Sequence, residues 1–333
     1  MKPPSPRGPI SEALIASLKG DARRLAPPGS PSSDPLADED LELALFLLYE
    51  LHYRGIDGVP DGREWDPELI ALRRSLEDHL IEALEALAPR RVGVLPERVG
   101  ALLFELSEAD DSPSLSGHLA ARGTLEQFRE FVVHRSAYQL KEADPHSWAI
   151  PRLTGAPKSA LLEVQYDEYG SGRPERMHSR LFAESMEALG LDSAYGAYIE
   201  LIPGLTLATV NLMSCLGLRR GRRGAIVGHL AMFEITSPVP NRRYAQGLRR
   251  LGMETATEFF DEHVEADSVH ENLAAYDLAG GLAKQQPELT ADILFGAEAL
   301  LALEGRWAVN VLERWAGGRS SLLAPLSAIE TAA

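Results

Sequence analysis

One segment of the chain has residues of the types and spacing found in metal ligands. Asp267 and His270 follow His263 at distances of four and seven residues, which in an α-helix correspond to rotations of about +40° and −20°. The three side chains are therefore expected to point from one face. Such a face is costly to bury unless a cation compensates, and a metal ion would do so. Glu262 and Glu265 are acidic neighbours of these residues. The alternative is therefore that the three side chains are exposed to solvent and bind no metal.

A second group of candidate ligands lies earlier in the chain. Glu168, Glu175 and His178 follow the pattern Glu-x6-Glu-x2-His, whose offsets again lie roughly on one side of a helix. Glycines and a proline between Glu168 and Glu175 interrupt the ideal register. Glu142, at the end of a mostly apolar helix upstream, is a further candidate ligand. The alternative is that it is an ordinary exposed residue beside Lys141.

Together these residues offer four carboxylates and three imidazoles. First-row transition metals accept this set, and helical bundles bind two iron or manganese ions with such side chains projecting inward. A structural zinc ion usually takes four ligands, often sulfur, and calcium takes oxygen. The set therefore predicts a centre of two metal ions with the ligands Glu142, Glu168, Glu175, His178, His263, Asp267 and His270.

Composition excludes several classes of function. The 333 residues allow one large domain or two smaller ones, and the net charge of −16 is spread along the chain. Such a surface repels phosphate backbones, so no nucleic-acid partner is expected. The single cysteine, Cys215, excludes an internal disulfide. There is no apolar leader and no apolar run of about 20 residues, so we expect no membrane contact and a cytoplasmic location.

The candidate ligands need helices to position them, and helical periodicity runs through the chain from about residue 38. Leucines between 69 and 84 form one stripe, and Thr124 with Gln127 has the spacing of a capping box. No segment alternates convincingly with period two. The sequence therefore predicts an all-α bundle.

Three regions are expected along the chain. The stretch 26–35 is rich in proline and serine, which is typical of a flexible linker. Residues 1–37 are then predicted to form a flexible N-terminal arm with one short helix. Residues 38–115 are predicted as N-terminal helices packed on the core, and residues 116–333 as the core that carries the metal centre.

The ligand pattern resembles that of the haem-oxygenase-like diiron oxidases and oxygenases, also called iron-containing redox enzymes. Their first core helix carries a Glu, the second Glu-x6-(Asp/Glu)-x2-His and the third His-x3-Asp-x2-His. The separations of 26 residues from Glu142 to Glu168 and 85 from His178 to His263 suit this family. The resemblance covers residues 120–280, and the three elements are matched in order by Glu142; by Glu168, Glu175 and His178; and by His263, Asp267 and His270.

This resemblance implies a haem-oxygenase-like helical bundle, with an extra N-terminal helical region. It also implies two Fe ions (Fe2+/Fe3+), O2 as co-substrate, a small-molecule substrate and an external electron donor such as a ferredoxin or reductase. The implied reaction is N-oxygenation of an amine or amino acid, often in natural-product biosynthesis; desaturation or C–C cleavage of an amino or fatty acid is the alternative. In the family the second ligand helix is mobile and orders when metal binds, which bears on Glu175 and His178.

Other readings of the sequence stay open. A thiaminase-like hydrolase would need Cys215 as nucleophile, and a haem oxygenase would need one axial histidine; both leave the candidate carboxylates without a role. A non-catalytic helical metal-binding or interaction protein belongs to another class. The oligomeric state is also open, with a homodimer as one option.

Several further residues have two interpretations each. Arg135, two turns before the first predicted ligand, could hold a substrate carboxylate or form a salt bridge. His146 and Trp148 could line the pocket, with packing as the alternative. His229 and Glu234 lie in an apolar helix and need partners if they are buried.

Overall fold

The computed structural model describes residues 1–20, 25 and 32–326, apart from the side chains of Asp267 and Ser268. Among the described residues there is no strand, which confirms the all-α prediction, and no helix is both long and apolar enough to cross a membrane. The α-helices are α1 (Pro9–Leu18), α2 (Glu39–Glu50), α3 (Pro67–Leu87), α4 (Val99–Glu108), α5 (Leu115–Arg122), α6 (Leu125–Gln139), α7 (Asp144–Ser147), α8 (Gly155–Glu168), α9 (His178–Ala188), α10 (Gly204–Leu218), α11 (Arg223–Thr236), α12 (Pro238–Arg250), α13 (Glu258–Asn272), α14 (Gly280–Gln285) and α15 (Thr290–Ala316).

Some helices begin at residues whose side chains cap them. Before α6, the Thr124 hydroxyl accepts from the Gln127 backbone N–H, and the Gln127 side chain accepts from the Thr124 N–H, as the capping-box spacing predicted. Before α3, the Asp66 carboxylate accepts from the Glu68 N–H. The predicted leucine stripe of α3 is buried, and its members are Leu69, Leu72, Leu76, Leu80 and Leu84.

The first twenty residues are held more firmly than the predicted flexible arm. The Asp40 carboxylate accepts from the Ser11 N–H and hydroxyl at the start of α1, and Leu14 is fully buried. Arg7 donates to Glu39 at 2.7 Å. These contacts tie α1 to α2, so this part differs from the expectation. The reason is that its capping groups come from a distant part of the chain.

The helices between residues 38 and 115 pack on the later ones. Helix α2 packs on α10, α3 on α15, and α4 on a π-helical segment, Leu273–Ala279, that follows α13. The buried apolar residues form one contiguous cluster. The predicted linker, 26–35, lies mostly outside the described residues, and the division at 115 stays a prediction.

Helices α11 and α15 lie in backbone contact through two glycines. A Cβ atom on Gly228 would lie 1.8 Å from the carbonyl oxygen of Ile293, and one on Gly296 would lie 1.9 Å from that of Ala225. Only glycine allows two backbones to approach this closely. This contact fixes the position of α11, which carries Glu234.

The C-terminal helix α15 contains a glycine, Gly305, and continues through it without a break. A Cβ atom at Gly305 would lie 2.2 Å from Ser112 Oγ. The absence of a side chain at Gly305 therefore lets α15 pack closely against the segment between α4 and α5, and the glycine does not end the helix.

Candidate metal centre

Four of the predicted ligands meet in the interior. Glu142, Glu168, His178 and His263 are all buried, and each offers one ligand atom that lies within 4.8 Å of the others. Glu142 follows the end of α6, Glu168 ends α8, His178 begins α9, and His263 lies in α13. The fold thus brings together carboxylates and imidazoles from separate parts of the chain.

A sharp turn positions Glu168 and His178. Between them, Gly170, Ser171 and Gly172 have φ values of 74°, 52° and 80°. These left-handed conformations end α8 and redirect the chain into α9. As a result, His178 Nδ1 lies 3.1 Å from Glu168 Oε2.

The same turn leaves Glu175 outside the cluster. Glu175 lies in a short 3₁₀ turn, Pro174–Arg176, where it is exposed. The expectation that it shares a helical face with Glu168 does not hold here, because no continuous helix joins the two residues. In this structure Glu175 is a surface residue.

His263 is oriented by its own helix. Its Nδ1–H donates to the carbonyl oxygen of Phe259 at 2.8 Å, so the lone pair of the neutral ring is on Nε2. That Nε2 lies 3.6 Å from Glu142 Oε1. A backbone carbonyl that fixes the imidazole tautomer in this way is typical of metal-ligating histidines.

His270 is buried beside two carboxylates, Asp167 and Glu234, that are not among the predicted ligands. Its Nε2 lies 3.0 Å from Asp167 Oδ2, and its Nδ1 lies 3.5 Å from Glu234 Oε2. Glu234 is buried in α11, among apolar neighbours. A lone carboxylate in an apolar helix was the signal that could have identified it. The side chain of Asp267, another predicted ligand, lies outside the described residues.

Glu168 and His178 stabilise each other's charged forms. Burial acts to raise the pKa of Glu168, but the attraction of the nearby histidines, mainly His178 and also His263 and His270, together outweighs it and holds this pKa at about 2. Burial acts to lower the pKa of His178, but the attraction of Glu168 and Glu142 together outweighs it, and the pKa is raised. The two residues therefore act as one ion pair.

The negative charges of Glu142 and Glu234 are less well balanced by neighbouring histidines. Burial raises the pKa of both carboxyl groups, although His263 opposes the shift at Glu142 and His270 opposes it at Glu234. The Oε2 atoms of Glu142 and Glu234 are buried and accept no hydrogen bond from the described residues. Buried carboxylate oxygens in this state are suited to a cation, so the donor set fits iron ions.

Two histidines next to the cluster are neutral. His146 Nε2 lies 3.1 Å from His229 Nδ1, and both rings are buried. Burial lowers the pKa of His146 to about 4 and that of His229 well below its ordinary value. His146 lines a small pocket with Glu142 and Glu168. It therefore supports the cluster without adding charge.

Two other interpretations are decided by contacts. Arg135 donates two hydrogen bonds to Glu304, at 2.8 and 2.6 Å, so it forms the salt bridge that was one of its alternatives. Trp148 packs edge-on against Tyr53 at 6.3 Å between ring centroids. Packing is thus the role that the structure supports for Trp148.

A cavity of about 280 Å³ adjoins the cluster, and Glu142 and His263 form part of its wall. Its volume is near the lower end for small-molecule sites. A small organic molecule in this cavity would lie directly against the candidate ligands.

Comparisons with known proteins identify the family and a relative of this chain. Residues 129–305, just over half of the chain, match a family described as iron-containing redox enzymes. A nitrosourea synthase from Streptomyces achromogenes subsp. streptozoticus is 28% identical over 167 residues, which is 50% of this chain and 36% of that protein. This chain therefore covers about a third of that relative's length. The family match includes all four residues of the cluster.

Proposed function

Because this chain belongs to the iron-containing redox enzyme family, we propose that its buried centre holds two iron ions and activates O2 to oxidise a small organic substrate. Family membership identifies the chain as an oxidoreductase with a haem-oxygenase-like all-α fold. N-oxygenation of an amine or amino acid is the reaction we propose, since the matched relative is named for making an N-nitroso product.

The cluster of Glu142, Glu168, His178 and His263 carries this proposal. Its members are buried, come from separate helices and combine carboxylates with imidazoles. Such a set suits iron and offers no sulfur for a structural zinc site. The proposed ligands are Glu142, Glu168, His178, Glu234, His263, Asp267 and His270, with Glu234 in place of the exposed Glu175.

Iron ions bound by these residues would supply electrons and open coordination positions for O2. The carboxylates neutralise the positive charge of the ions. The Phe259 carbonyl keeps His263 in the tautomer that presents Nε2. Asp167 lies 3.0 Å from His270 Nε2 and holds that ring in place.

Apolar side chains shield the centre. The rings of Phe182 and Phe259 lie 5.0 Å apart, and Phe259 also packs on His263 at 4.3 Å. Both phenylalanines line the adjoining cavity. They would exclude water from the reacting atoms while leaving room for the substrate.

Repeated turnover requires an external source of electrons. We propose a ferredoxin or a reductase in this role, as the family resemblance implies. A function in natural-product biosynthesis is a further prediction from the same resemblance.

Anaerobic loading with Fe(II) tests the proposal. We expect about two iron ions per chain and a transient visible absorption after O2 is added. The Asp267→Ala variant should bind less iron, because it lacks one carboxylate of the third ligand element. Less than one iron per chain, no transient and an unaffected Asp267→Ala variant would favour a non-catalytic helical protein instead.

A further inference from the structure

The cavity beside the metal centre has two distinct ends. Its inner end is formed by Glu142 and His263 of the candidate centre. Its outer end is formed by residues of the connection between α4 and α5, from Asp110 to Ser114, and by the first turn of α5. The N-terminal helices thus complete the wall of a site whose metal ligands come from later helices. A bound molecule would extend from the centre towards this connection.

A connected set of aromatic rings lies in the wall of the cavity. The ring centroids of Phe131 and Tyr244 lie 4.4 Å apart, those of Tyr244 and Phe260 5.7 Å, and those of Phe260 and Phe259 5.2 Å. Aromatic pairs favour tilted and edge-to-face contacts at such distances. The complete aromatic lining is Phe131, Phe182, Phe233, Tyr244, Phe259, Phe260 and Trp307.

Arg135 and Glu304, two charged residues of the cavity wall, neutralise each other. Arg135 and Glu304 form a bidentate pair, and the guanidinium lies 4.1 Å from the centre of the Trp307 ring. Glu304 is thereby occupied, so it is not available to balance a second cation. A substrate that placed a charged group beside this pair would lose the hydration of that group and gain no opposite charge in return.

Gln139 adds a neutral polar side chain to the wall near the inner end. It lies on α6 between Arg135 and Glu142, and it lines the cavity. A side-chain amide can form a hydrogen bond with a polar group of a ligand without adding charge to the wall.

We infer that the substrate carries an aromatic ring joined by a short linker to an amine, as in an arylalkylamine or an aromatic amino acid. The ring lies among Phe131, Tyr244 and Phe260, and the amine lies near Gln139 at the metal end. This inference rests on the proposed function for the reaction itself, but the cavity's preference for aromatic groups can be measured without turnover.

Anaerobic calorimetry with matched ligands tests the preference. L-phenylalanine is compared with L-norleucine, and phenethylamine with butylamine, using the full chain whose iron content has been counted. We expect each aromatic member to bind about tenfold more tightly, because the ring adds apolar contact area and ring–ring contacts. Equal affinity within both pairs, or no binding by any of the four, would overturn the inference.

Two leucine variants locate the preference. Phe131→Leu removes a ring from the cavity wall and should abolish most of the aromatic advantage. Phe128→Leu is the matched control, since Phe128 is on the same helix but packs towards Gly247, outside the cavity. Tyr244→Leu serves if Phe131→Leu does not fold. An equal loss in Phe128→Leu and Phe131→Leu would contradict the assignment.

The iron count separates this inference from the proposed function. A chain that binds about two iron ions but shows no aromatic preference keeps the diiron proposal and loses this one. A chain that prefers aromatic ligands but binds no iron keeps this inference and loses the diiron proposal. The two failures are therefore distinguishable in one set of samples.

Discussion

Glu234 Oε2 and His270 Nδ1 lie 3.5 Å apart. Both residues are buried, and they belong to different helices, α11 and α13. This contact links α11 to the helix that carries His263 and His270. It makes Glu234 a candidate ligand in the place that the exposed Glu175 was expected to take. Four predictions follow from this and other contacts.

Replacing Glu234 should reduce iron binding. The Glu234→Gln variant keeps the size of the side chain but removes the anionic oxygen, so we expect iron to fall from about two to about one per chain. Iron is counted after anaerobic loading and dialysis. Glu175→Gln is the control, and it should retain the full amount because Glu175 is exposed. Undiminished iron in Glu234→Gln would remove α11 from the centre.

Protonation of His134 should make the fold sensitive to acid. This buried imidazole lies 2.8 Å from the Thr206 hydroxyl and 3.0 Å from the Ser321 hydroxyl, and burial lowers its pKa to about 3. The unfolded chain takes up this proton near the ordinary pKa of 6.5, whereas the folded chain does not. The contribution of His134 to the free energy of unfolding is therefore complete above pH 6.5. It is lost as the pH falls towards 3, by about 1.4 kcal/mol per pH unit.

The His134→Gln variant removes this titration. Urea unfolding of both proteins at about pH 7, 6 and 5 should show a shallower pH dependence in the variant. The variant is expected to be less stable at neutral pH, since the Thr206 and Ser321 contacts change. Parallel pH profiles would mean that His134 does not titrate as the structure indicates.

The contact between α11 and α15 should tolerate no side chain at Gly228. A Cβ atom there would lie 1.8 Å from the Ile293 carbonyl oxygen, so Gly228→Ala should lower the free energy of unfolding by about 2 kcal/mol or more. Chemical denaturation measures this change. Gly221→Ala is the control, because a Cβ at Gly221 meets nothing within 4 Å, and its effect should stay within about 0.5 kcal/mol.

The buried pair of Lys141 and Glu50 should be costly to break from one side. Both side chains are fully buried, and Lys141 directly precedes Glu142. Lys141→Met leaves the buried Glu50 carboxylate with the hydrogen bond from the Tyr195 hydroxyl but without a cation, so we expect a loss of about 3–5 kcal/mol. The double variant with Glu50→Leu should recover much of that stability. A double variant as unstable as the sum of the two single variants would contradict this reasoning.

Much of the fold could be predicted from local sequence. The leucine stripe of α3 and the Thr124–Gln127 capping box depend on residues within a few positions of each other, and both are present. The types and order of the candidate ligands were also visible, and Glu142, Glu168, His178 and His263 meet as buried side chains. Helical periodicity and ligand chemistry are properties of neighbouring residues, so the sequence by itself determined them.

Tertiary structure alone decided which of the candidate side chains lie together. The left-handed turn at Gly170–Gly172 places Glu175 on the surface, because it replaces the continuous helix that the spacing assumed. Glu234 lies beside His270 because Gly228 lets α11 pack closely against α15, which fixes the position of α11. Contacts between helices distant in sequence depend on how their surfaces pack in three dimensions, which the period of one helix does not specify.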